Sequence, residues 1–149
     1  NNMVLQRYWQ PEFQKGGFIR ADKVREYSDR LIEQYDVRSG QGSVTTVRSM
    51  SGGNQQKVIF GKWLEREPQV FMMDEPTRGI DVGAKYEIYE LIIKMAKQGK
   101  TVIVVSSEMP EILGITNRIG VMSNGHLSGI VNTKETNQEE LLRLSAKYL

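Results

Sequence analysis

The chain has 149 residues, 39% of them hydrophobic, and its 20 basic and 18 acidic side chains give a formal net charge of +2. This length suits one domain, or part of one, with a sizeable core, and the near-neutral charge gives no reason to expect a nucleic acid partner. Cysteine is absent, which excludes disulfides and thiolate metal sites. Every apolar run is far shorter than the ~20 residues of a membrane span, and no signal peptide opens the chain. Because the chain begins with Asn1 and Asn2 rather than an initiator Met, we expect a cytosolic fragment of a longer protein.

The N-terminal part carries helical patterns and no convincing strand. Periodicity and helix breakers predict a short helix over residues 3–9 and an amphipathic helix over residues 21–35. A polar connection over residues 38–46 leads to a third predicted helix over residues 53–66. In the amphipathic helix the apolar positions Val24, Tyr27 and Leu31 recur at three- and four-residue spacing, with charged residues on the opposite face. The third helix is expected to stop before Pro68, because a residue that precedes proline disfavours helical geometry.

The C-terminal part alternates between strands and helices. The predicted elements are strand 70–73, helix 81–97, strand 101–105, short helix 108–113, strands 118–122 and 127–131, and helix 137–147. The first two strands are continuously apolar, which predicts a parallel pair buried on both faces within a βαβ unit. Asn124-Gly125 predicts a two-residue hairpin turn between the next two strands. Asn137, with Glu140 three residues later, predicts the cap of the last helix.

Two adjacent carboxylates, Asp74 and Glu75, come directly after the first predicted strand of this unit. Ligands of open α/β sheets collect at the edge where parallel strands end. An Asp at this edge suits Mg²⁺, usually through water, and the adjacent Glu suits the orientation and deprotonation of a water that attacks a γ-phosphate. The alternative is a strand that ends in two solvated acids.

A second candidate site is the start of the third predicted helix, where Ser51, Gly52 and Gly53 precede Asn54 and Gln55. Two glycines let the backbone approach an anion closely, and the free N–H groups and dipole of a helix N-terminus favour phosphate. The alternative is an ordinary N-cap formed by Ser51, with the glycines as spacers and Gln55 as a good helix former.

Taken together, the two sites resemble the ATP-binding cassette ATPases. MSGGNQQ at residues 50–56 is similar to the family's signature motif, residues 70–75 resemble its Walker B strand, and Gly79-Ile80-Asp81 resembles its D-loop. The resemblance implies an α/β, P-loop NTPase-like core fragment, with a parallel sheet and a C-terminal hairpin, joined to an α-helical subdomain. Residues 1–57 would form the helical subdomain up to the signature motif, and residues 58–149 the C-terminal part of the RecA-like core. The chain contains no GxxxxGK[ST] motif, so the P-loop and the first β-subdomain would be missing.

The strings SGGNQQK, DEPTRGIDVGAK and VSSEMPEILG narrow the resemblance to the second cassette of double-cassette ATPases in bacterial importers of the ribose, galactose and xylose type. This implies ATP and Mg²⁺ as cofactors and uptake of a monosaccharide across the cytoplasmic membrane, at whose inner face the protein would be peripheral. The implied partners are the first cassette of the same polypeptide, permease subunits bound through the helical subdomain and, indirectly, a periplasmic sugar-binding protein. A nucleoside importer, a non-enzymatic docking module and a nucleic-acid-associated cassette remain as alternatives, and the charge and the strings disfavour the last.

The resemblance also assigns roles to residues. Glu75 would be the catalytic base and Asp74 an indirect Mg²⁺ ligand, whereas Ser51, Gly52, Gly53 and Gln55 would bind the ATP held by the partner cassette. Asp81 would be the D-loop aspartate. Ser107 stands where most cassettes have a histidine that contacts the γ-phosphate, so this position, known as the H-switch, would be degenerate here. The single histidine, His126, is expected on the surface. We expect the fragment alone to be inactive and to self-associate through an exposed sheet edge.

Overall fold

A computed structural model describes residues 2–149, so Asn1, the first residue of the predicted helical subdomain, lies outside the described residues. The helices are α1 (Ala21–Gln34), α2 (Gly52–Leu64), α3 (Val82–Lys97), α4 (Met109–Ile115) and α5 (Gln138–Ser145). The strands are β1 (Gln14–Lys15), β2 (Phe18–Ile19), β3 (Val70–Asp74), β4 (Thr101–Val105), β5 (Arg118–Ser123) and β6 (His126–Asn132). These bounds confirm four predicted helices and four predicted strands of the sequence, and also the short helix after β4.

The predicted helix over residues 3–9 is wrong. Only a 3₁₀ turn over Asn2–Val4 forms, and the following residues make turns. Their backbone bonds, from Arg7 to Val4 and from Gln10 to Arg7, join residues three apart at 2.8 and 2.9 Å. A segment this short would form too few hydrogen bonds between residues four apart to offset the cost of helix nucleation. Tertiary contact fixes it instead, since Met3 and Val4 are buried in a cluster with Phe13 and Leu31.

The N-terminal part also contains strands, contrary to the sequence-based prediction. β1 and β2 pair antiparallel over two residues each, with Gln14 opposite Ile19 and Lys15 opposite Phe18. Gly16 and Gly17 connect them at φ values of +59° and +85°, in the left-handed region that glycine adopts at low cost. Two residues are too few to show an alternating pattern in sequence, so only the Gly-Gly turn was recognisable.

β3 and β4 form the predicted parallel pair, with Val70 opposite Thr101 and Asp74 opposite Val105 at the two ends of the register. The connecting helix α3 packs Ile88, Ile92 and Met95 against one face of this sheet. The prediction that these strands are buried on both faces is wrong. In β3, Phe71 and Met73 are buried, whereas Val70 and Met72 are 54% and 72% exposed. The side chains on that second face therefore remain largely exposed.

The C-terminal hairpin and last helix confirm their predictions. β5 and β6 pair antiparallel with a bulge between Val121 and Met122, and Asn124 and Gly125 turn the chain at φ values of +44° and +80°. Asn137 caps α5 by accepting the backbone N–H of Glu140 at 3.0 Å. Leu141 of α5 is buried against this hairpin.

Helix α2 connects the two larger clusters of buried side chains. Its residue Val58 belongs to the N-terminal cluster around α1, while Phe60 and Leu64 belong to the cluster beneath the parallel sheet. The helix runs unbroken through the predicted subdomain boundary at residue 57. Across residues 2–149, none of the helices has both the length and the apolar character needed to cross a bilayer.

Candidate functional site

Glu75 lies at the edge where β3 and β4 both end. Its backbone is in the left-handed region at φ +46°, and its N–H donates to the carbonyl of Val105 at 2.8 Å. Its carboxylate accepts the backbone N–H of Ser107 at 2.9 Å. The parallel pairing of the two strands therefore brings together Glu75, the predicted base, and Ser107, the residue predicted to stand at the histidine position. The backbone contact between them was not foreseen.

Asp74 is the last residue of β3 and is exposed. Within the part of the chain that the structure describes, no group of three or more His, Cys, Asp or Glu side chains is arranged to hold a metal ion. Asp74 can therefore supply one oxygen ligand, or hold a metal-bound water, but it does not make a coordination site alone. These residues fit an incomplete Mg²⁺ site.

A buried carboxylate next to this edge was missed by sequence reasoning. Glu111 of α4 is only 4% exposed, and it accepts the hydroxyl of Thr77 at 2.7 Å and the hydroxyl of Ser106. Burial raises the pKa of the neighbouring Tyr89 hydroxyl, and the negative charge of Glu111 raises it further. The only signal in the sequence was the second glutamate of VSSEMPEILG, which has no spacing that distinguishes it from a solvated helix residue.

The start of α2 forms the second part of the site. Ser51 is the N-cap, as the alternative interpretation predicted: its hydroxyl oxygen accepts the backbone N–H of Asn54 at 3.4 Å and the Asn54 side-chain amide at 2.8 Å. The Gln55 side chain donates to the carbonyl of Met50 at 2.9 Å. Ser51 and Gly52 remain exposed, so the end of the helix is accessible to a ligand.

The two glycines at the start of α2 pack closely within this chain, and the packing at Gly53 leaves no room for a side chain. A Cβ added at Gly53 would lie 2.4 Å from the Cβ of Ala84, and one added at Gly52 would lie 3.0 Å from Cγ2 of Ile80. Distances under 3 Å essentially never occur for real Cβ atoms. The sequence-based explanation, close approach to an anion, is therefore not the only constraint on Gly53.

The same packing places residues 80–84 beside residues 51–53. Asp81 caps α3 by accepting the backbone N–H of Ala84 at 2.9 Å, and Ala84 is the residue that Gly53 contacts. The structure thus groups the predicted residues in two sets, Glu75 with Ser107 and residues 51–53 with residues 80–84. His126 is exposed on the hairpin with its ring 5.1 Å from that of Tyr148, which confirms the predicted surface position.

Comparison with curated proteins gives long, highly identical matches. The chain is 71% identical over 136 residues to the galactose/methyl galactoside import ATP-binding protein MglA of Treponema denticola, a match that covers 89% of this chain and 27% of the relative. It is 63% identical over 139 residues to the protein of the same name from Treponema pallidum, covering 93% and 28%. For the protein of that name from Pasteurella multocida the identity is 54% over 135 residues. The chain therefore spans about a quarter of the length of these relatives. No family model matches it.

Solved structures similar to this chain are ATP-binding cassettes. One is a transporter described as metal-chelate type in an inward-facing conformation, with a TM-score of 0.75 and 16% identity over 96% of this chain and 55% of that chain. Another is a dimeric ATP-binding cassette in a post-hydrolysis state bound to ADP and Pi, with a TM-score of 0.64 and 22% identity over 81% of this chain and 52% of that chain. Likeness at these identities shows the fold, and it confirms the predicted α/β cassette architecture.

Proposed function

We propose that this chain, a member of the ATP-binding cassette ATPases, is the C-terminal part of the second cassette of an importer ATPase. The intact ATPase would energise uptake of a monosaccharide of the galactose type. The observation that carries the proposal is the 71% identity to a galactose/methyl galactoside import ATP-binding protein. The three relatives carry that same name, which favours a sugar over a nucleoside as the solute. The near-neutral charge gives no support to a nucleic-acid-associated cassette.

Glu75 is the proposed catalytic base for hydrolysis of ATP at the site of this cassette. One of its carboxylate oxygens accepts the N–H of Ser107, which fixes the carboxylate and leaves its other oxygen to orient a water and take its proton. Mg²⁺ would neutralise charge on the phosphates, with Asp74 as its indirect ligand. Ser107 has neither the reach nor the charge of an imidazole, so we expect this site to be weak.

The start of α2 has the complementary role of completing the ATP site of the first cassette. The exposed N-terminus of this helix offers backbone N–H groups at residues 52 and 53 to a γ-phosphate, with Ser51 and Gln55 beside them. Asp81 follows Ile80, the D-loop residue that packs on Gly52. We therefore expect the position of Asp81 to respond when the start of α2 contacts the γ-phosphate. Residues 1–57 form the proposed helical subdomain, which docks on the permease at the cytoplasmic face of the membrane, and residues 58–149 belong to the proposed ATPase core.

The sharpest test uses the intact transporter that carries this chain, reconstituted in liposomes, with ATP hydrolysis and galactose uptake both measured. Ser51→Asp keeps a residue that caps helices well but puts a negative charge against the γ-phosphate. We expect it to abolish both activities, whereas Ser51→Asn, the uncharged capping control, retains most of them. Glu75→Gln should leave a substantial fraction. Gly53→Asp is also expected to abolish activity, but it clashes with Ala84 and cannot separate misfolding from lost phosphate contact.

Two outcomes contradict the proposal. Equal losses from Ser51→Asp and Glu75→Gln would show that the two ATP sites contribute equally. Failure of every variant to change galactose uptake, while uptake of another solute changes, would overturn the solute class and leave the ATPase assignment in place. The chain alone, which contains no GxxxxGK[ST] motif, is expected to hydrolyse no ATP.

A further inference from the structure

We propose that Glu111 is a positioning residue that aligns Glu75, because it joins the turn that contains Glu75 to the loop whose Ser107 N–H contacts the Glu75 carboxylate. The proposal rests on the proposed function only in taking Glu75 as the base. Glu111 itself is buried, at 4% exposure, and so it acts through other residues and touches no ligand. Its two contacts, Thr77 and Ser106, belong to different loops.

The first contact fixes the turn after β3. The Thr77 hydroxyl donates to one carboxylate oxygen of Glu111 at 2.7 Å, and Thr77 is 1% exposed. Thr77 lies two residues beyond Glu75, in a turn closed by the N–H of Arg78 donating to the carbonyl of Glu75 at 3.1 Å. Glu75 has φ +46°, and a non-glycine residue keeps such a conformation only where its surroundings enforce it. Thr77, held by Glu111, is part of that enforcement.

The second contact fixes the loop after β4. The Ser106 hydroxyl donates to the other carboxylate oxygen of Glu111, and the same Ser106 oxygen accepts the backbone N–H of Glu108 at 3.0 Å. Ser107 lies between these two residues, so its N–H is held in the direction of Glu75, whose carboxylate it meets at 2.9 Å. Glu111 therefore holds the turn that contains Glu75 through Thr77, and through Ser106 it holds the loop whose Ser107 N–H donates to the Glu75 carboxylate.

The chemistry of the pair of hydroxyls requires a carboxylate. A carboxylate offers two acceptor oxygens, and each of the two hydroxyls donates to one of them. A buried carboxylate is costly unless it receives such donors. A glutamine at this position has one oxygen and one NH₂ group, so one of the two hydroxyls would face a donor. The amide would therefore release one loop while it keeps the volume of the side chain.

The test measures the Ser107 amide by hydrogen exchange and NMR in the 149-residue chain. Loss of one hydrogen bond of about average strength corresponds to an exchange rate about fivefold faster. We expect that acceleration at Ser107 in Glu111→Gln, with the amides of β5 and β6 unchanged. Glu108→Gln is the matched control: it removes the same charge three residues away, from a half-exposed side chain paired with Lys85, and Ser107 should exchange as in the parent.

Single-hydroxyl variants keep the proposal testable if Glu111→Gln does not fold. Thr77→Val and Ser106→Ala each remove one contact, and each should accelerate exchange at Ser107. Thr77→Val is the stricter variant, because Thr77 reaches Ser107 through Glu111. In a Glu111→Gln background it should add less than it does alone.

Unchanged exchange at Ser107 in Glu111→Gln, or in both single-hydroxyl variants, would overturn the positioning role. That result would leave the proposed ATPase function untouched, because no nucleotide is present in the measurement. Conversely, an intact transporter without activity at the Glu75 site would remove the function and leave the measured coupling in place.

Discussion

At the scale of single residues, Gly53 shows how one position satisfies two different constraints. Its place at the start of α2 suits an anion, and the sequence reveals this because two glycines precede a helix. Its contact with Ala84, 31 positions later, is a property of how α2 packs on α3. Local sequence carries no trace of that contact, so the packing constraint became visible only with the fold.

The close approach of Gly53 to Ala84 predicts a loss of stability on adding one methyl group. Gly53→Ala should lower the free energy of unfolding by about 1–3 kcal/mol, since the new Cβ would lie 2.4 Å from that of Ala84. Urea denaturation followed by circular dichroism measures this. Ala84→Gly in the same chain should recover most of the loss. Gly114→Ala, also within a helix but with open space around its Cβ, should instead stabilise by up to about 1 kcal/mol; equal effects at the two positions would contradict the packing explanation.

Tyr35 predicts a pH dependence of stability at alkaline pH. Burial raises its pKa to about 12, from an ordinary value of 10, and the nearby Glu65 carboxylate contributes. Between these values the unfolded chain releases this proton and the folded chain keeps it, so stability is complete below pH 10 and falls as pH rises toward 12. The slope is at most about 1.4 kcal/mol per pH unit, and less because solvent reaches part of the ring.

The Tyr35 prediction is tested by urea midpoints measured from pH 8 to above pH 10. The Tyr35→Phe chain should lose stability less steeply over this interval than the parent. Tyr86→Phe removes the same hydroxyl from a 64% exposed ring and is the matched control. Parallel curves for the parent and Tyr35→Phe would show that this tyrosine does not titrate between the two states.

At the scale of elements, the sequence predicted what depends on local pattern and missed what depends on distant contacts. The β3–α3–β4 unit and the Asn-Gly hairpin were predictable from periodicity and turn chemistry, and with them the meeting of Asp74, Glu75 and Ser107 at one edge. The junction of α2 with its neighbours was not. There the buried ammonium of Lys57 lies 2.8 Å from Glu87 of α3 and 2.7 Å from the carbonyl of Asp36 after α1, residues 30 and 21 positions away.

This junction predicts that removing one negative charge from α3 loosens the packing of α2. Glu87→Gln removes the carboxylate closest to Lys57, whose side chain is only 6% exposed. Breaking a fully buried pair costs about 3–5 kcal/mol. Glu87 is about a third exposed, and Lys57 retains Asp36, so we expect about 1–2 kcal/mol in urea denaturation. The matched control is Glu90→Gln, an exposed carboxylate on the same helix. A cost for Glu87→Gln no larger than that of the control would show that the Lys57 contact contributes nothing.

At the scale of the whole molecule, the parallel sheet has one covered face and one open face. Val70, Met72, Ile103 and Val105 are all more than 40% exposed on the open side. A groove of about 560 Å³ runs beside β3 and is lined also by Ile59 and Trp63 of α2. Apolar periodicity reports which side chains suit burial, whereas burial itself depends on which element packs there. For this reason the sequence predicted both strands but overestimated the cover on them.

This open face predicts self-association of the 149-residue chain. Each strand of the two-stranded sheet also has one edge without a backbone partner among the described residues, and an exposed apolar face beside a free edge favours pairing between copies. We expect sedimentation velocity and light scattering to show dimers or larger species that increase with concentration. Met72→Glu places a charge at the most exposed position of the face, at 72%, and should shift the chain toward monomer. Leu127→Glu changes a residue of similar character on the hairpin, 55% exposed, and should leave association as it is. A stable monomer in the parent chain, or equal effects of the two substitutions, would show that the open face does not drive association.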